Sequence, residues 1–80
     1  MKLPRDVSGA DLIKALCRNF GYERLAQEGS HVILQTYEPR SHRLSVPNHL
    51  VLRLGTLHAI IKSVALAKGV TQDEILDCLR

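Results

Sequence analysis

Three short strand-like runs lie between two amphipathic helical segments, and this order is the feature that most limits the fold. The helical segments are predicted within residues 7–21 and 56–69, where apolar residues recur at the helical period. The runs between them, at 22–27, 31–37 and 43–46, have strand-like composition or alternation and end at turn-forming residues. Because short turns join consecutive runs, we expect a three-stranded antiparallel meander.

The predicted helices also carry signals at their ends. Ser8 is a good N-cap for the first helix, and Asp11 follows at the capping-box position. Gly69 is placed to end the second helix in a left-handed conformation. A short third helix is predicted after Thr71, with Glu74 completing a capping box. The pattern therefore predicts an α+β fold in which the helices cover one face of the sheet.

Strand alternation assigns the side chains of the predicted sheet to two faces. Those expected to face the core are Leu25, Val32, Leu34, Leu44 and Val46. Those expected on the open face are Tyr22, Arg24, Ala26, His31, Ile33, Gln35, Arg43 and Ser45. The open face would then combine a histidine with two arginines, a tyrosine and an exposed isoleucine.

The length of the chain is enough for one small domain, over residues 1–80, with one modest core. No apolar run approaches the ~20 residues that span a bilayer, and the first residues lack the apolar segment of a signal peptide. We therefore expect a soluble cytoplasmic protein. Cys17 and Cys78 have no zinc-ligand spacing, and we expect both thiols to be buried in helices.

Charge is unevenly distributed along the chain, although the net charge is only +3. No acidic residue lies between Glu38 and Asp73. The basic residues and histidines of that interval are Arg40, Arg43, Arg53, Lys62, Lys68, His42, His49 and His58. A basic middle of this kind favours an anionic partner such as nucleic acid, although an unevenly charged solvated surface gives the same pattern.

Histidine is the residue type best suited to chemistry in this chain. The sequence has no glycine-rich phosphate loop, metal-ligand spacing or hydrolase elbow. An ordinary imidazole, with a pKa of about 6.5, can serve as a base or an acid near neutral pH. His31 begins a predicted strand after a Gly-Ser turn, whereas His42 and His58 are expected to be inert surface residues. His49 is either a supporting acid or phosphate ligand, or a polar loop residue.

The start of the second predicted helix is a further candidate for contacting a phosphate. The run Gly-Thr-Leu at 55–57 would present free N–H groups and the positive end of the helix dipole. The alternative is that Gly55 and Thr56 only cap the helix. The sequence leaves both interpretations open.

Five stretches of the chain carry a family resemblance: MKLPRDVSGADLIKAL, GYERLAQEGSHVIL, LSVPNH, GTLHAIIKSVAL and TQDEIL. In this order they resemble the HicA family of bacterial toxins, which are the ribonuclease partners of HicA–HicB toxin–antitoxin pairs. The resemblance implies a double-stranded-RNA-binding-domain-like α-β-β-β-α fold, cleavage of mRNA, and neutralisation by a HicB-like antitoxin. It assigns catalysis to His31 of the Gly-Ser-His motif, with supporting roles for Ser30 and His49.

The leading hypothesis is a metal-independent endoribonuclease without a cofactor, in which His31 is the general base or acid. The candidate RNA-phosphate contacts are Arg24, Arg43, Arg53 and Lys62. A non-catalytic RNA-binding module of the same fold would use the same basic residues, since phosphate contacts give affinity without cleavage. A protein-interaction domain that docks through Ile33 and the open sheet face is a third reading.

Overall fold

The computed structural model describes residues 3–79, which form a helix, three strands and two further helices in that order. The elements are α1 (Gly9–Asn19), β1 (Glu23–Glu28), β2 (His31–Thr36), β3 (His42–Pro47), α2 (Leu54–Lys68) and α3 (Gln72–Asp77). The strands form one antiparallel sheet in the order β1-β2-β3. The α-β-β-β-α order with a short C-terminal helix confirms the predicted α+β fold.

Two of the three helices begin at the residues that the sequence predicts. The Ser8 side chain accepts a hydrogen bond of 3.0 Å from the Asp11 N–H at the start of α1. At the start of α3, Thr71 and Glu74 form a reciprocal capping box. In contrast, α2 begins two residues earlier than expected, with Arg53 as its N-cap and no side-chain cap hydrogen bond among the described residues.

The core lies between the helices and one face of the sheet. Val32 and Val46 are directly opposite each other in the sheet, and both are fully buried. The helical side chains of this core that have no exposed surface are Leu12, Leu16, Leu57, Ile61, Val64, Ile75 and Leu76. No helix or strand formed by residues 3–79 covers the other face of the sheet, so the side chains that alternate with Val32 and Leu34 point away from the helices.

The predicted alternation is wrong in β1, because the strand contains a bulge. The register shifts between Arg24 and Ala26, which makes Leu25 an extra residue relative to β2. Leu25 was expected in the core and is instead 49% exposed. Arg24 lies opposite Leu34, so its side chain is on the helix-covered face rather than the open one.

Two further expectations about burial are corrected by the structure. Tyr22 precedes β1, and its N–H donates to the Leu16 carbonyl at 3.3 Å, so the ring is buried rather than on the open face. Cys78 is exposed at the end of α3, and Cys17 is only partly buried. Among residues 3–79, the helices are too short or too polar to cross a membrane.

Candidate functional site

His31 lies at one end of the open face of the sheet. Gly29 has a φ of 61°, which lets the chain turn tightly from β1 into β2 and puts His31 at the first position of β2. His31 is opposite Glu28 on one side and Pro47 on the other. Its ring is exposed, and within residues 3–79 it makes no side-chain hydrogen bond. The imidazole of His31 is therefore accessible from solvent.

Backbone hydrogen bonds hold the segment that carries His49 at the same end of the sheet. The Asn48 N–H donates to the carbonyl of Ser30, the residue before His31, at 2.7 Å. The carbonyl of His49 itself accepts from the Gly9 N–H at 2.9 Å. These bonds bring the two predicted histidines to neighbouring parts of the surface and leave both side chains exposed.

Gly9 is needed for this close approach between α1 and the His49 segment. A Cβ atom at position 9 would lie 2.0 Å from the Pro47 carbonyl oxygen and 2.8 Å from the Asn48 Cα. Both are backbone atoms, so a side chain at position 9 could be accommodated only if the segment moved. The glycine therefore helps to set the position of His49 relative to His31.

A surface pocket of about 310 Å³ adjoins this end of the sheet. It is lined by Pro47, His49, Val51, Leu52, Arg53 and Thr56. His49 and Arg53 thus share one pocket with the first turn of α2, and Pro47 connects that pocket to its strand neighbour His31. Arg53 is the N-cap residue of α2, and its side chain makes no capping hydrogen bond. Gly55 and Thr56 therefore lie inside the first turn of α2 and do not cap the helix.

Two of the predicted phosphate contacts lie elsewhere. Arg24 is on the helix-covered face near Cys17: burial raises the pKa of the Cys17 thiol, and the Arg24 charge opposes that rise. Lys62 is exposed on α2, in the layer that covers the opposite face of the sheet.

The structure therefore groups His31 with Ser30, His49 and Arg53 at one end of the sheet. It places Arg43 further along the same open face.

Arg43 is the arginine that does lie on the open face. It stands opposite Gln35 in the sheet, and its Nε donates to the Gln35 Oε1 at 3.0 Å. Gln35 was expected to be an exposed residue of this face, but it is only 4% exposed. The sequence therefore located Arg43 correctly and missed the buried amide beneath it.

His42 is part of a polar network that sequence reasoning missed. Its ring forms a 2.8 Å hydrogen bond with the Tyr22 hydroxyl through Nδ1 and a 3.0 Å hydrogen bond with the Ser63 hydroxyl through Nε2. Burial lowers the pKa of His42, and the nearby Lys68 charge lowers it further. A signal was available, because alternation back from Val46 and Leu44 turns His42 toward the helices.

Lys68 extends this network from α2 to the far end of β2. Its Nζ donates to the Thr36 hydroxyl at 2.6 Å and lies 5.0 Å from the centre of the Tyr22 ring. Burial raises the pKa of Tyr22 to about 12, so its hydroxyl stays protonated at neutral pH. The network ties α2 to the sheet through side chains.

The connection Ser63–His42–Tyr22 has the order of a nucleophile, a base and an orienting group. A base that takes a proton from serine must become an imidazolium, and the partner that usually stabilises this cation is a carboxylate. Here the partner is a neutral phenol, and both burial and Lys68 disfavour the cation. The arrangement therefore fits a structural role rather than nucleophilic catalysis.

No group of three or more histidine, cysteine, aspartate or glutamate side chains within residues 3–79 is arranged to hold a metal ion. At the end of the sheet described above, the imidazoles of His31 and His49 can move protons, and the guanidinium of Arg53 can bind anions.

These features define a small α+β protein whose open sheet face ends in an exposed histidine beside a basic pocket. A family model described as "HicA toxin of bacterial toxin-antitoxin" matches residues 9–66, from the start of α1 into the second half of α2. The chain therefore belongs to the HicA toxin family. The matched region includes His31, His49 and Arg53. Searches of curated proteins and of solved structures found no match.

Proposed function

We propose that this HicA-family toxin is an endoribonuclease that cleaves mRNA without a metal ion, with His31 as the general base or acid. The observation that carries the proposal is the position of His31 on the open face, exposed and free of side-chain hydrogen bonds within residues 3–79. It lies within the region that matches the toxin family. His42, which is half-buried, and His58, which lies on α2, lack this combination of exposure and open sheet surface.

The chemistry of RNA cleavage needs few groups. The imidazole of His31 takes the proton of a ribose 2′-OH, and the resulting oxyanion attacks the adjacent phosphorus. The bond from phosphorus to the 5′-oxygen breaks, which leaves a 2′,3′-cyclic phosphate and a 5′-hydroxyl. The leaving oxygen must receive a proton, and His49 or a water molecule near it supplies this. DNA has no 2′-OH and resists the reaction.

Cationic groups near His31 would stabilise the charge that develops on the phosphate. Arg53 shares a pocket with His49, and Ser30 is the residue before His31, with its carbonyl bonded to the His49 segment. Of the four basic residues expected to bind RNA, Arg53 is the one beside His49, whereas Arg43 lies on the open face further from His31. Arg24 and Lys62 lie on the helix side of the sheet, so we give them no role near the scissile phosphate.

A HicB-like antitoxin would neutralise the toxin by covering His31 and its surroundings. The segment after His49 presents apolar side chains to solvent, with Leu50 91% exposed and Val51 55% exposed. A protein partner seated there would bury these side chains and block the pocket, which gives binding energy and inhibition from one contact. Titration of the toxin with the purified antitoxin should therefore reduce RNA cleavage in proportion to complex formation.

The experiment that tests the activity compares a single-stranded RNA with the same strand carrying 2′-deoxy sugars, both in EDTA. The wild-type protein should cut the RNA to products ending in 2′,3′-cyclic phosphate and leave the deoxy strand intact. His31→Ala should cut the RNA far more slowly, and His58→Ala is its matched control, because His58 is exposed on α2 away from the open face. Salt-dependent binding of RNA without cleavage, with or without added magnesium, would instead indicate a non-catalytic RNA-binding module.

A further inference from the structure

Gln35 is an unusual residue for an uncovered sheet face, because its polar side chain is almost fully buried. It is 4% exposed, and each polar atom of its amide has a partner. The Nε2 group donates to the Ser41 hydroxyl at 2.9 Å and to the Thr36 carbonyl at 2.8 Å. The Oε1 atom accepts from the Arg43 Nε at 3.0 Å. The amide is thus held in one orientation, with its oxygen directed at Arg43.

This contact fixes one edge of the Arg43 guanidinium and leaves the rest of it accessible. Nε is bound to Gln35, whereas the side chain as a whole is exposed on the open face. The two terminal nitrogens of arginine form the fork that binds phosphate oxygens in pairs. A guanidinium that is already oriented loses less conformational entropy when it binds a phosphate. Gln35 therefore prepares Arg43 for an anion that arrives from solvent.

The charges on the open face give it a polarity from one edge to the other. On the β1 side, Glu23 lies opposite Gln35 and Glu28 lies opposite His31. On the β3 side, Arg43 lies opposite Gln35, and the chain continues to His49 and Arg53 without an acidic residue. A polyanion is repelled at the β1 edge and attracted at the β3 edge, which favours a path along β3.

The sheet register sets the separation of Arg43 from His31. Arg43 pairs with Gln35, and His31 pairs with Pro47, so the two positions are four residues apart along the strands. At ~3.3 Å per residue this is about 13 Å. An arginine at that distance from His31 is too far away to contact the phosphodiester that is cleaved there. It would therefore contact the phosphate of a different nucleotide.

We propose that an RNA strand follows the β3 side of the open face, and that Arg43, positioned by Gln35, binds a phosphate outside the cleaved linkage. Arg43 is then a binding residue, and Gln35 is a positioning residue that acts through it. The identity of the polyanion as RNA rests on the proposed function.

The test measures equilibrium binding of a fluorescent single-stranded RNA in the His31→Ala background, so that binding is observed without cleavage. Adding Arg43→Ala should weaken binding about tenfold and reduce the slope of log affinity against log salt by about 0.7. Arg24→Ala is the matched control, because it removes the same charge from the other face of the sheet. Equal losses for Arg24→Ala and Arg43→Ala would overturn the proposed path.

The role of Gln35 is tested by Gln35→Met, which keeps the side-chain volume and removes the acceptor for Nε. Binding should weaken while the salt slope stays at the wild-type value, because the arginine charge remains. In the Arg43→Ala background the same substitution should have no further effect. Wild-type affinity in Gln35→Met would overturn the positioning role. If that variant does not fold, Arg43→Lys removes the Nε donor at constant charge, and should weaken binding with the salt slope unchanged.

Cleavage kinetics separate this inference from the proposed function. With His31 intact, Arg43→Ala should raise KM and leave kcat near its wild-type value, because Arg43 does not touch the reacting phosphate. An unchanged KM would overturn the inference while leaving the ribonuclease activity in place. Absence of cleavage by the wild-type protein, together with binding that depends on Arg43, would overturn the proposed function and support the RNA path.

Discussion

His31 and His42 lie on adjacent strands near opposite ends of the same sheet, and their surroundings differ in almost every respect. His31 is exposed on the open face, and no side-chain hydrogen bond engages its ring within residues 3–79. His42 is half-buried on the helix-covered face, and both its ring nitrogens are engaged, by Tyr22 and by Ser63. Because side chains alternate between the two faces along a strand, the position of each histidine in its strand decides which face of the sheet it occupies.

The two ends of the sheet are also held together in different ways. Near His31 the contacts are between backbone groups, such as Gly9 with His49 and Asn48 with Ser30. Near His42 they involve side chains, such as His42 with Tyr22 and His42 with Ser63. Contacts between backbone groups leave the side chains available for a substrate, whereas side chains that are hydrogen-bonded to each other are not available. This difference supports the proposed catalytic role for His31 and a stabilising role for His42.

The largest effect on stability is expected from Gly9→Ala, at the His31 end. The added Cβ would be placed 2.0 Å from the Pro47 carbonyl oxygen, which forces the backbone of the His49 segment to move. We expect a loss of about 1–3 kcal/mol in the free energy of unfolding, with a lower cleavage rate, measured by urea denaturation and an RNA assay.

The control for this prediction is Gly55→Ala in the first turn of α2, where a Cβ would meet nothing within 4 Å beyond its chain neighbours and the backbone of its own helix. Alanine is the better helix former by about 0.5–1 kcal/mol in a helix interior, so this variant should be as stable as the wild type or slightly more stable. Equal destabilisation by both substitutions would mean that the close approach at Gly9 does not organise the His31 end.

A somewhat smaller loss is expected from His42→Ala, at the other end. The substitution leaves the buried Tyr22 hydroxyl and the Ser63 hydroxyl without their partner. An unsatisfied buried polar group costs about 1–3 kcal/mol, and part of this cost will be relieved because Ser63 can reach solvent. His58→Ala, on the exposed side of α2, should change the free energy of unfolding by less than ~0.5 kcal/mol.

The smallest effect is a dependence of stability on pH that comes from His42. Burial and the Lys68 charge lower its pKa in the folded state below the ~6.5 of an unfolded histidine. The unfolded chain therefore binds a proton first as the pH falls. The stabilisation that neutral His42 contributes is therefore complete above about pH 6.5, and it is lost as the pH falls through the folded-state pKa of His42.

This contribution is isolated by comparing wild type with His42→Ala at several pH values. Because the variant lacks the titrating group, the difference in free energy of unfolding between the two proteins should narrow as the pH is lowered from 7 to 5. A difference that stays constant or widens would show that His42 is not held in its neutral form by the fold.

Much of the fold could be predicted because it follows local rules. The capping residues Ser8 and Thr71 and the apolar period of α2 each act over a few neighbouring residues, and each prediction is confirmed. The bulge at Leu25 could not be predicted in the same way, because simple alternation assumes one residue for each partner. One inserted residue was enough to expose Leu25 and to move Arg24 to the helix-covered face of the sheet.

The candidate site also contains some features that local rules predict and others that they do not. The position of His31 on the open face follows from the alternation of Val32 and Leu34, so the sequence predicted it. The partners of His42 are 20 and 21 residues away in the chain, and nothing local shows that they meet. The buried amide of Gln35 was missed for a similar reason, because its burial depends on Arg43 and Ser41 from beyond the next turn.

The most direct test of the account is the rate of RNA cleavage by His31→Ala and His42→Ala, each measured where circular dichroism shows the protein to be folded. We predict that His31→Ala lowers the rate by about 10²–10⁴-fold, the usual contribution of a general acid or base, with wild-type stability. His42→Ala should lower stability and keep the cleavage rate. Cleavage that survives in His31→Ala, or that is lost in folded His42→Ala, would contradict the division of roles between the two histidines.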